Sequence, residues 1–331
     1  MIAALLFAAS TTFSPIQQIA TGAPALQPSP GVTQFTFVVA GDNRPAKQGD
    51  GLTQPLADIV TALQKTPPAF VVWNGDVIYG KQSTGLQSQY VQFQGAFAKL
   101  TSPLFNAPGN HETVTNITCG TASGEWPNAS MLTQYGQFMG LPYGFFRYGN
   151  AAFVLVNTDD TLDVTLKNQC DYNGYVSPTQ LSALTATLAQ LDGDSTVTHI
   201  FLFMHRPIHD TGSHQIGDKK TNAYGTQVEA FRKAIDKGGY KKLLYVFASH
   251  DHRFYLYPAG ASLSGTSPGS GGEPTFIVTG GAGAPLSGCK KGKGGNDGAY
   301  YHYLSVTING AKVTITVDPL YGTKPCTQPT S

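Results

Sequence analysis

Charge is scarce in this sequence. Asp, Glu, Lys and Arg make up 12% of the 331 residues, about half of the ~25% found in ordinary soluble domains. The two signs are nearly balanced, with 21 basic and 20 acidic residues and a formal net charge of +1. Such a chain gives no nucleic-acid-binding signal and no attraction to an anionic membrane. Ser, Thr, Asn, Gln and Gly must cover most of the surface, a composition common among exported proteins.

Long apolar runs are also missing. The longest, residues 1–9, is far shorter than the ~20 residues that a membrane-spanning helix needs. It resembles the apolar core of a signal peptide, and Ala23-Pro24-Ala25 loosely fits a small-x-small cleavage site. No charged residue precedes Asp42, so the basic start of a signal peptide is absent. Despite this absence, the apolar start and the low charge favour a secreted or periplasmic protein.

Cysteine is rare, with four residues and no CxxC pair, which excludes the spacing of a zinc ribbon. An even number of cysteines in an exported chain predicts disulfides, and three pairings are open. The pairing of Cys119 with Cys170 and of Cys289 with Cys326 is favoured because each bond closes a modest loop within one region. Four buried free thiols are the alternative.

Apolar residues are plentiful enough for a large core, at 41% with 11% aromatics, which excludes a disordered chain. Short apolar runs at 35–40, 70–73 and 104–108 predict strands buried on both faces. Helical periodicity at 52–63 and 86–100 lies between them. This alternation predicts parallel βαβ units, whose ligand sites lie beyond the carboxyl ends of the strands.

The second half of the chain continues the pattern after a predicted insertion at about 113–143 with a short helix near 132–139. Residues 145–148 and 152–158 predict paired strands around a Gly149-Asn150 turn. Ser177 and Pro178 predict the start of a helix that extends to 191. A further helix is predicted at 227–237, and the remaining predicted strands are 200–204, 243–248, 276–278, 303–308 and 313–317.

Polar side chains with metal-binding chemistry follow five of these strands directly. They are Asp42, Asp76, Asn110 with His111, His205, and His250 with His252. If the strands lie side by side, these loops converge into one cluster of carboxylates, imidazoles and an amide oxygen, a ligand set that suits divalent or trivalent metals. The ligands are too many for a single tetrahedral zinc ion, so a two-metal site is predicted.

The order of these motifs resembles the calcineurin-like metallophosphoesterase superfamily. The motifs are Gly41-Asp42, Gly75-Asp76-Val77-Ile78-Tyr79, Gly109-Asn110-His111-Glu112, His205-Arg206-Pro207 and His250-Asp251-His252. The resemblance implies an α/β fold, a two-sheet α/β/β/α sandwich with a binuclear metal site at the carboxyl ends of its strands. The resemblance covers residues 35 to about 285, within one catalytic domain predicted at 34–320. The Pro-, Ser-, Thr- and Gln-rich composition of residues 10–33 predicts a leader or linker at 1–33, and a tail is predicted at 321–331.

Within that superfamily, Tyr79 three residues after Asp76 resembles the purple acid phosphatase branch. The resemblance implies one metal site of Asp42, Asp76, Tyr79 and His252, and a second of Asp76, Asn110, His205 and His250, with Asp76 as the bridge. A tyrosinate is a hard anionic ligand, so the implied cofactors are Fe(III) and a divalent ion, Zn, Fe or Mn. Two residues depart from the branch's usual pattern, Arg44 after the first aspartate and Ser249 before His250.

The implied activity is the hydrolysis of phosphoric esters by a metal-bound hydroxide. The expected substrates are phosphomonoesters, either small molecules or macromolecules. His111 is the candidate proton donor to the leaving group, with Glu112 as the residue that orients it. Arg44 and Arg206 are candidates for binding the phosphate oxygens, since a guanidinium suits bidentate recognition. His209 is predicted to line the cleft and His214 to face solvent, while His199 and His302 lie inside strand patterns and are expected to be structural.

Two alternatives stay open at this stage. One is a phosphodiesterase of the same superfamily, acting on nucleotides or lipids, with Tyr79 merely packed and both metals divalent. The other is a non-catalytic member that binds phosphate or a partner protein. The sequence gives no indication of the oligomeric state.

Overall fold

Two six-stranded sheets lie face to face in this computed structural model. It describes residues 12–27, 29–81, 84–160, 170, 172–209, 214–217, 225–258, 261–268, 272–287 and 299–322. The first sheet runs in the order β3 (Leu104–Asn106), β2 (Val71–Trp73), β1 (Gln34–Ala40), β13 (Tyr300–Asn309), β14 (Lys312–Gly322) and β11 (Ser264–Gly265). The second runs β6 (Gly144–Tyr148), β7 (Ala151–Leu155), β8 (His199–Phe203), β9 (Leu243–Ala248), β12 (Thr275–Thr279) and β10 (Phe254–Tyr257).

Each sheet contains a run of parallel strands, as the alternation of strands and helices predicts; in the first sheet β1 also pairs antiparallel with β13. In the first sheet β1, β2 and β3 run parallel, and in the second β7, β8, β9 and β12 do so. Parallel strands place their carboxyl ends at one edge of each sheet. The residues that follow β1, β2, β3, β8 and β9 are therefore brought together there.

Aromatic rings fill the space between the sheets. Phe37 stacks on Phe70 with ring centroids 5.2 Å apart and meets Phe201 edge to face, also at 5.2 Å. Strand alternation explains this layer, because Phe37 and Val39 of β1 face the second sheet while Val38 and Ala40 face the helices. Offset and edge-to-face rings of this kind add about 0.5–1.5 kcal/mol per pair beyond the burial of their area.

Helices cover the outer face of each sheet, which completes the predicted α/β/β/α sandwich. The helices that pack on the first sheet are α1 (Gln54–Lys65), α2 (Leu86–Ala96) and α4 (Ala129–Met139), and those on the second are α5 (Pro178–Gly193) and α6 (Gly225–Asp236). The Ser177 hydroxyl accepts a hydrogen bond from the Gln180 N–H at 3.1 Å, which confirms the predicted cap of α5. No helix in the described part of the chain is long and apolar enough to cross a membrane.

The predicted insertion contains a hairpin that its sequence pattern did not reveal. Strands β4 (Val114–Cys119) and β5 (Ala122–Pro127) pair in antiparallel register directly after the short helix α3 (Asn110–Thr113). The predicted disulfide between Cys119 and Cys170 is present, with the two Cα atoms 5.6 Å apart. Cys289 and Cys326 lie outside the described residues, so their pairing stays a prediction.

The segment at 12–27, assigned to a leader or linker from its composition, is instead packed into the fold. Phe13, Ile16 and Ile19 are buried, and each enters a different one of the three apolar clusters. The N–H of Ile16 donates to the Phe145 carbonyl of β6 at 2.9 Å, and the N–H of Ile19 donates to the Leu104 carbonyl of β3 at 2.7 Å. Since β6 and β3 are edge strands of the two sheets, this segment covers both edges.

His302 in β13 is a structural histidine, as its place inside a strand pattern predicts. Its ring is fully buried, with Nδ1 2.9 Å from the Tyr300 carbonyl oxygen and Nε2 3.1 Å from the Thr279 hydroxyl. Burial lowers the pKa of His302 to about 4. Its unfolded counterpart takes up a proton below pH ~6.5, so this group removes stability as the pH falls from there to about 4.

We therefore expect His302→Gln to make the protein less sensitive to acid. Between pH 7 and pH 5 the native sequence should lose about 2 kcal/mol more stability than the variant. Only the native sequence has a histidine here that takes up a proton when the protein unfolds. Urea unfolding of both proteins at the two pH values measures the difference. Equal losses in the two proteins would contradict the assignment.

Candidate metal centre

The loops at the carboxyl ends of the strands are backbone-strained. Asp42, Asp76, Lys81 and His250 are non-glycine residues with φ between 53° and 69° in the described chain. This left-handed region is costly for residues with a Cβ, and such residues concentrate at functional sites. All four lie in or around one cleft of about 340 Å³.

Two groups of ligand-type side chains meet at the floor of this cleft. Asp42, Asp76 and His252 form one group, and Asp76, His205 and His250 form the other. Within each group the ligand atoms lie within 4.8 Å of one another. Asp76 belongs to both, so its carboxylate occupies the position expected of a bridge between two cations.

Asn110 joins the second group from the start of α3. Its Oδ1 lies 3.0 Å from the His205 Nε2 atom, which in turn lies 3.2 Å from Asp76 Oδ1. The structure thus brings together six of the seven side chains predicted to bind metal. Tyr79, the seventh, is half-buried beside the site, with its ring edge-on to His111 at 6.0 Å between centroids. Its role as a ligand stays a prediction.

Backbone carbonyls fix the orientation of two of the imidazoles. His205 Nδ1 donates to the Asn74 carbonyl at 2.8 Å, and His252 Nδ1 donates to the Pro285 carbonyl at 2.6 Å. In each ring the Nε2 lone pair is then left to face the carboxylates, as in histidines that bind metals. His250 is turned the other way, with Nδ1 3.1 Å from His205 Nε2 and Nε2 2.9 Å from Arg206 Nη1.

The donor set fits two cations. Asp42 Oδ1 is buried and has no hydrogen-bond partner, although it lies only 3.7 Å from His252 Nε2. A buried carboxylate oxygen without a donor is costly, and burial raises the pKa of Asp42 well above its usual value. A cation at this position would supply the missing positive partner. The mixture of carboxylate, imidazole and amide ligands suits Fe, Zn or Mn.

When no cation is bound, the neighbouring carboxylates favour a protonated His205 in the second group. Burial opposes the charged form of His205, but Asp76 and Asp42 raise its pKa to about 9. Burial likewise opposes the charged form of Asp76, but His111 and His205 hold its pKa well below the usual range. A cation bound here would replace this proton, so metal binding is expected to release it.

Glu112 orders the loops that carry the ligands. Its carboxylate accepts hydrogen bonds from the backbone N–H groups of Gly109, Asp76, Val77 and Ile78 at 2.6–3.2 Å. The prediction that it orients the His111 ring was wrong, because all these partners are backbone groups of the two neighbouring loops. The loops touch so closely that a Cβ on Gly75, whose φ is 78°, would lie 2.4 Å from the Gly109 nitrogen.

His111 faces the cleft in its neutral form. Its Nε2 lies 3.8 Å from Asp76 Oδ2, and its Nδ1 hydrogen bonds to the Tyr79 carbonyl oxygen. Burial lowers the pKa of His111 to about 3. Arg44 also reaches this end of the cleft, with its Nε 3.5 Å from Asp76 Oδ2.

Arg206 lines the cleft, but protein partners occupy its guanidinium, and its role in binding substrate stays a prediction. Its Nε pairs with Asp159 at 2.9 Å and its Nη2 with Glu125 at 2.7 Å. Its Nη1 reaches Asn173 Oδ1 at 3.0 Å and His250 Nε2 at 2.9 Å. A buried guanidinium with these contacts has little left to offer a phosphate, and it holds the His250 ring.

Two other histidines differ from their predictions. His209 lies outside the cleft: its ring stacks on Tyr257 at 3.9 Å, and its Nε2 lies 3.0 Å from Asp236 Oδ1. His214, predicted to face solvent, is half-buried and lines the cleft, with its ring 5.3 Å from that of His250.

Glu125 is the residue of the site that the sequence motifs missed. It reaches the cleft from β5 and contacts Lys81, Asn110 and Arg206. Burial disfavours its charge, but Arg206 and Lys81 hold the pKa of Glu125 well below the usual range, so it is ionised. One signal could have pointed to it, since Glu125 is the only charged residue between positions 113 and 143.

A known family resembles this chain in sequence, and solved structures resemble it in fold. The family model described as Calcineurin-like phosphoesterase matches residues 35–254. No curated protein matches the sequence. Similar solved structures include purple acid phosphatase PPD1 from yellow lupin (Lupinus luteus), at 15% identity and a TM-score of 0.59 over 86% of this chain and 51% of that one. This chain therefore spans about half the length of the lupin enzyme.

Two further structures share the fold over most of their own length. A dimetal phosphatase from Danio rerio has 14% identity and a TM-score of 0.53, over 87% of this chain and 99% of that one. GAP50, the anchor in the inner membrane complex of Plasmodium, has 14% identity and a TM-score of 0.53, over 89% of each chain. At these identities the likeness establishes the fold alone.

Proposed function

The chain belongs to the calcineurin-like phosphoesterase family, which hydrolyses phosphoric esters at a metal centre, and we propose that its substrates are phosphomonoesters. The observation that carries the proposal is the pair of ligand groups that share Asp76 at the carboxyl ends of the strands. A binding protein has no need of two adjoining ligand groups with a common carboxylate. This arrangement supports catalysis over the non-catalytic alternative.

Each ligand group would hold one cation. Asp42, Tyr79 and His252 would hold one and Asn110, His205 and His250 the other, with Asp76 between them. When bound, the cations supply positive charge to the phosphoryl oxygens and lower the pKa of water. The protein contributes ligands that are already oriented by backbone carbonyls and by the loop contacts of Glu112.

The shape and charge of the cleft support a monoester. Its volume of about 340 Å³ lies at the low end of the range for small-molecule sites, and Asn116, Ser123 and Gly124 of the hairpin wall it on one side. Arg44 and Lys81 line the walls, where they are paired with the carboxylates of Asp76 and Glu125 respectively. A monoester dianion would gain more from two bound cations than a diester monoanion would, and it has no second organic group to accommodate.

We propose His111 as the group that protonates the leaving oxygen. A bound phosphate dianion within hydrogen-bond reach would offset the burial that lowers the pKa of His111. The Tyr79 carbonyl holds Nδ1, so the proton to be transferred would be carried on Nε2, the nitrogen that faces Asp76 and the cleft. Arg44 is the stronger candidate for binding the phosphate oxygens.

One preparation tests this function. The purified protein should contain two metal ions per chain and hydrolyse a phenyl phosphate monoester faster than the corresponding diester. Two metals with a preference for the diester would instead favour the phosphodiesterase alternative. Absence of both metal and hydrolysis would support the non-catalytic alternative.

The proposed Fe(III) is tested separately through Tyr79. A tyrosinate bound to Fe(III) absorbs visible light, so we expect the protein to be coloured and Tyr79→Phe to be colourless. Phenylalanine keeps the ring that packs against His111 and removes only the oxygen. A colourless, active native protein with two divalent ions would overturn the tyrosinate assignment and leave the hydrolase assignment intact.

We also propose that the protein is exported. The Cys119–Cys170 disulfide and the low proportion of charged residues support this, because disulfides persist in oxidising compartments. Recovery of the native protein outside the cytoplasm with this disulfide formed would support export. Recovery from the cytoplasm with both thiols free would contradict it.

A further inference from the structure

We propose that Glu125, on the hairpin β4–β5, is a positioning residue that orients the amide of Asn110 for metal binding. The inference deepens the proposed function and depends on it for the presence of a metal next to Asn110. It assigns a role in the metal centre to the insertion, which contains none of the motifs that follow the strands.

The two ends of the Asn110 amide have different partners. Its Nδ2 donates to Glu125 Oε1 at 2.9 Å, while its Oδ1 points toward His205 Nε2 at 3.0 Å. An amide offers a donor at one end and an acceptor at the other, and an ionised carboxylate only accepts. Glu125 can therefore bind only the NH₂ end of Asn110, which directs the oxygen, the atom able to bind a cation, into the second ligand group.

Arg206 binds the other oxygen of the Glu125 carboxylate. Glu125 Oε2 accepts from Arg206 Nη2 at 2.7 Å, and Arg206 Nη1 lies 2.9 Å from His250 Nε2. Asp159 holds the opposite side of the same guanidinium at 2.9 Å. The two oxygens of Glu125 thus have separate partners, Asn110 for Oε1 and Arg206 for Oε2, which holds the carboxylate in one orientation.

The hairpin that carries Glu125 is rigid. Strands β4 and β5 pair without a break from Val114 opposite Pro127 to Cys119 opposite Ala122. The Cys119–Cys170 disulfide fixes the turn end of the hairpin, and the Trp126 ring packs on Tyr172 at 6.1 Å. A positioning group must itself be held in place, and these contacts hold the strand that carries Glu125.

A simpler role for Glu125 is to neutralise Lys81 and Arg206, both of which it also contacts. The two roles differ in what happens when the hydrogen bond to residue 110 is reversed. In the double variant Asn110→Asp with Glu125→Gln, an amide at 125 donates to a carboxylate at 110, so the contact is kept with opposite polarity. Charge neutralisation by residue 125 is lost equally in Glu125→Gln and in the double variant.

The experiment compares the native protein, Glu125→Gln, Asn110→Asp and the double variant. The number of metal ions per chain and the affinity for the more weakly bound ion are measured by titration against a chelator. The stability of the metal-free proteins is measured by urea unfolding. We expect Glu125→Gln to weaken the binding of one metal by about 10- to 100-fold, the range for residues that orient ligands. Excess metal should restore its kcat, which a mere loss of folding would not allow.

Asn110→Asp alone should also bind the second metal weakly, because it places two carboxylates in contact. The double variant should bind that metal more tightly than either single variant. Thr121→Ala, an exposed change at the hairpin turn, serves as the control and should match the native protein.

Two results would overturn the inference. Native affinity for both metals in Glu125→Gln would show that the contact does not position Asn110. A double variant no tighter than Glu125→Gln would leave only charge neutralisation. A native protein without two metals is a different failure, since it contradicts the proposed function and is seen before any variant is made.

Discussion

Asp76→Asn is expected to abolish hydrolysis and to reduce the metal content from two ions per chain to at most one. Asp76 is the residue common to both ligand groups. A carboxylate has two oxygens and a negative charge with which to hold two cations, whereas an amide has one oxygen and no charge. We expect kcat to fall on the order of 10³-fold or more, since both the positive charge and the ionised water depend on the pair of cations.

Metal analysis and a monoester assay on the same preparation measure this effect. The variant should remain folded, because an amide oxygen can still accept the hydrogen bond that Asp76 Oδ1 receives from the His111 N–H at 3.1 Å. Asp50→Asn is the matched control, because Asp50 is exposed and lies outside the cleft. An Asp76→Asn protein that keeps two metals and native activity would show that the shared carboxylate is not a bridge.

Much of this site could be predicted from the sequence because its signals are local. Each loop that holds ligands comes directly after a short run of apolar residues, and such runs, in alternation with helical patterns, indicate strands that are buried on both faces. Asp42 follows β1 and Asp76 follows β2, and parallel neighbours bring their carboxyl ends together. The convergence of the ligands thus depends on features that can be seen within a few residues of each.

The contacts behind the ligands could not be predicted in this way. Arg206 lies next to His205 in sequence and has the chemistry to bind a phosphate, yet Asp159 and Glu125, from distant segments, occupy its guanidinium. His209 has the chemistry to line the cleft, yet Tyr257 and Phe276 enclose its ring. The role of a polar side chain depends on partners that lie far away in the chain, and no local pattern specifies them.

The segment at 12–27 shows a second limit of local patterns. Its Pro, Ser, Thr and Gln content is typical of a linker, and no helix or strand of the described structure lies within it. Three apolar residues spaced three apart, Phe13, Ile16 and Ile19, are nevertheless buried. An irregular segment can bury side chains at any spacing that matches the surface it crosses, so periodicity gives no sign of it.

Simultaneous replacement of Phe13, Ile16 and Ile19 by Ala is expected to bring the protein close to unfolding. Single large-to-small changes in a core cost about 2–5 kcal/mol each, and the three side chains enter three separate clusters. A combined loss of roughly 6 kcal/mol or more compares with a total stability of about 5–15 kcal/mol for a typical domain. Urea unfolding of the metal-free protein measures the loss without a contribution from metal binding.

Ser14→Ala with Gln17→Ala is the matched control, because these exposed residues alternate with the buried ones along the same segment. It should change the stability by less than about 1 kcal/mol. Equal midpoints for the triple variant and the control would show that the segment contributes nothing to the cores. If the triple variant unfolds as expected, cleavage at Ala23-Pro24-Ala25 would be as damaging, since it removes the same three side chains. A leader that is cut during export would then have to end before Phe13.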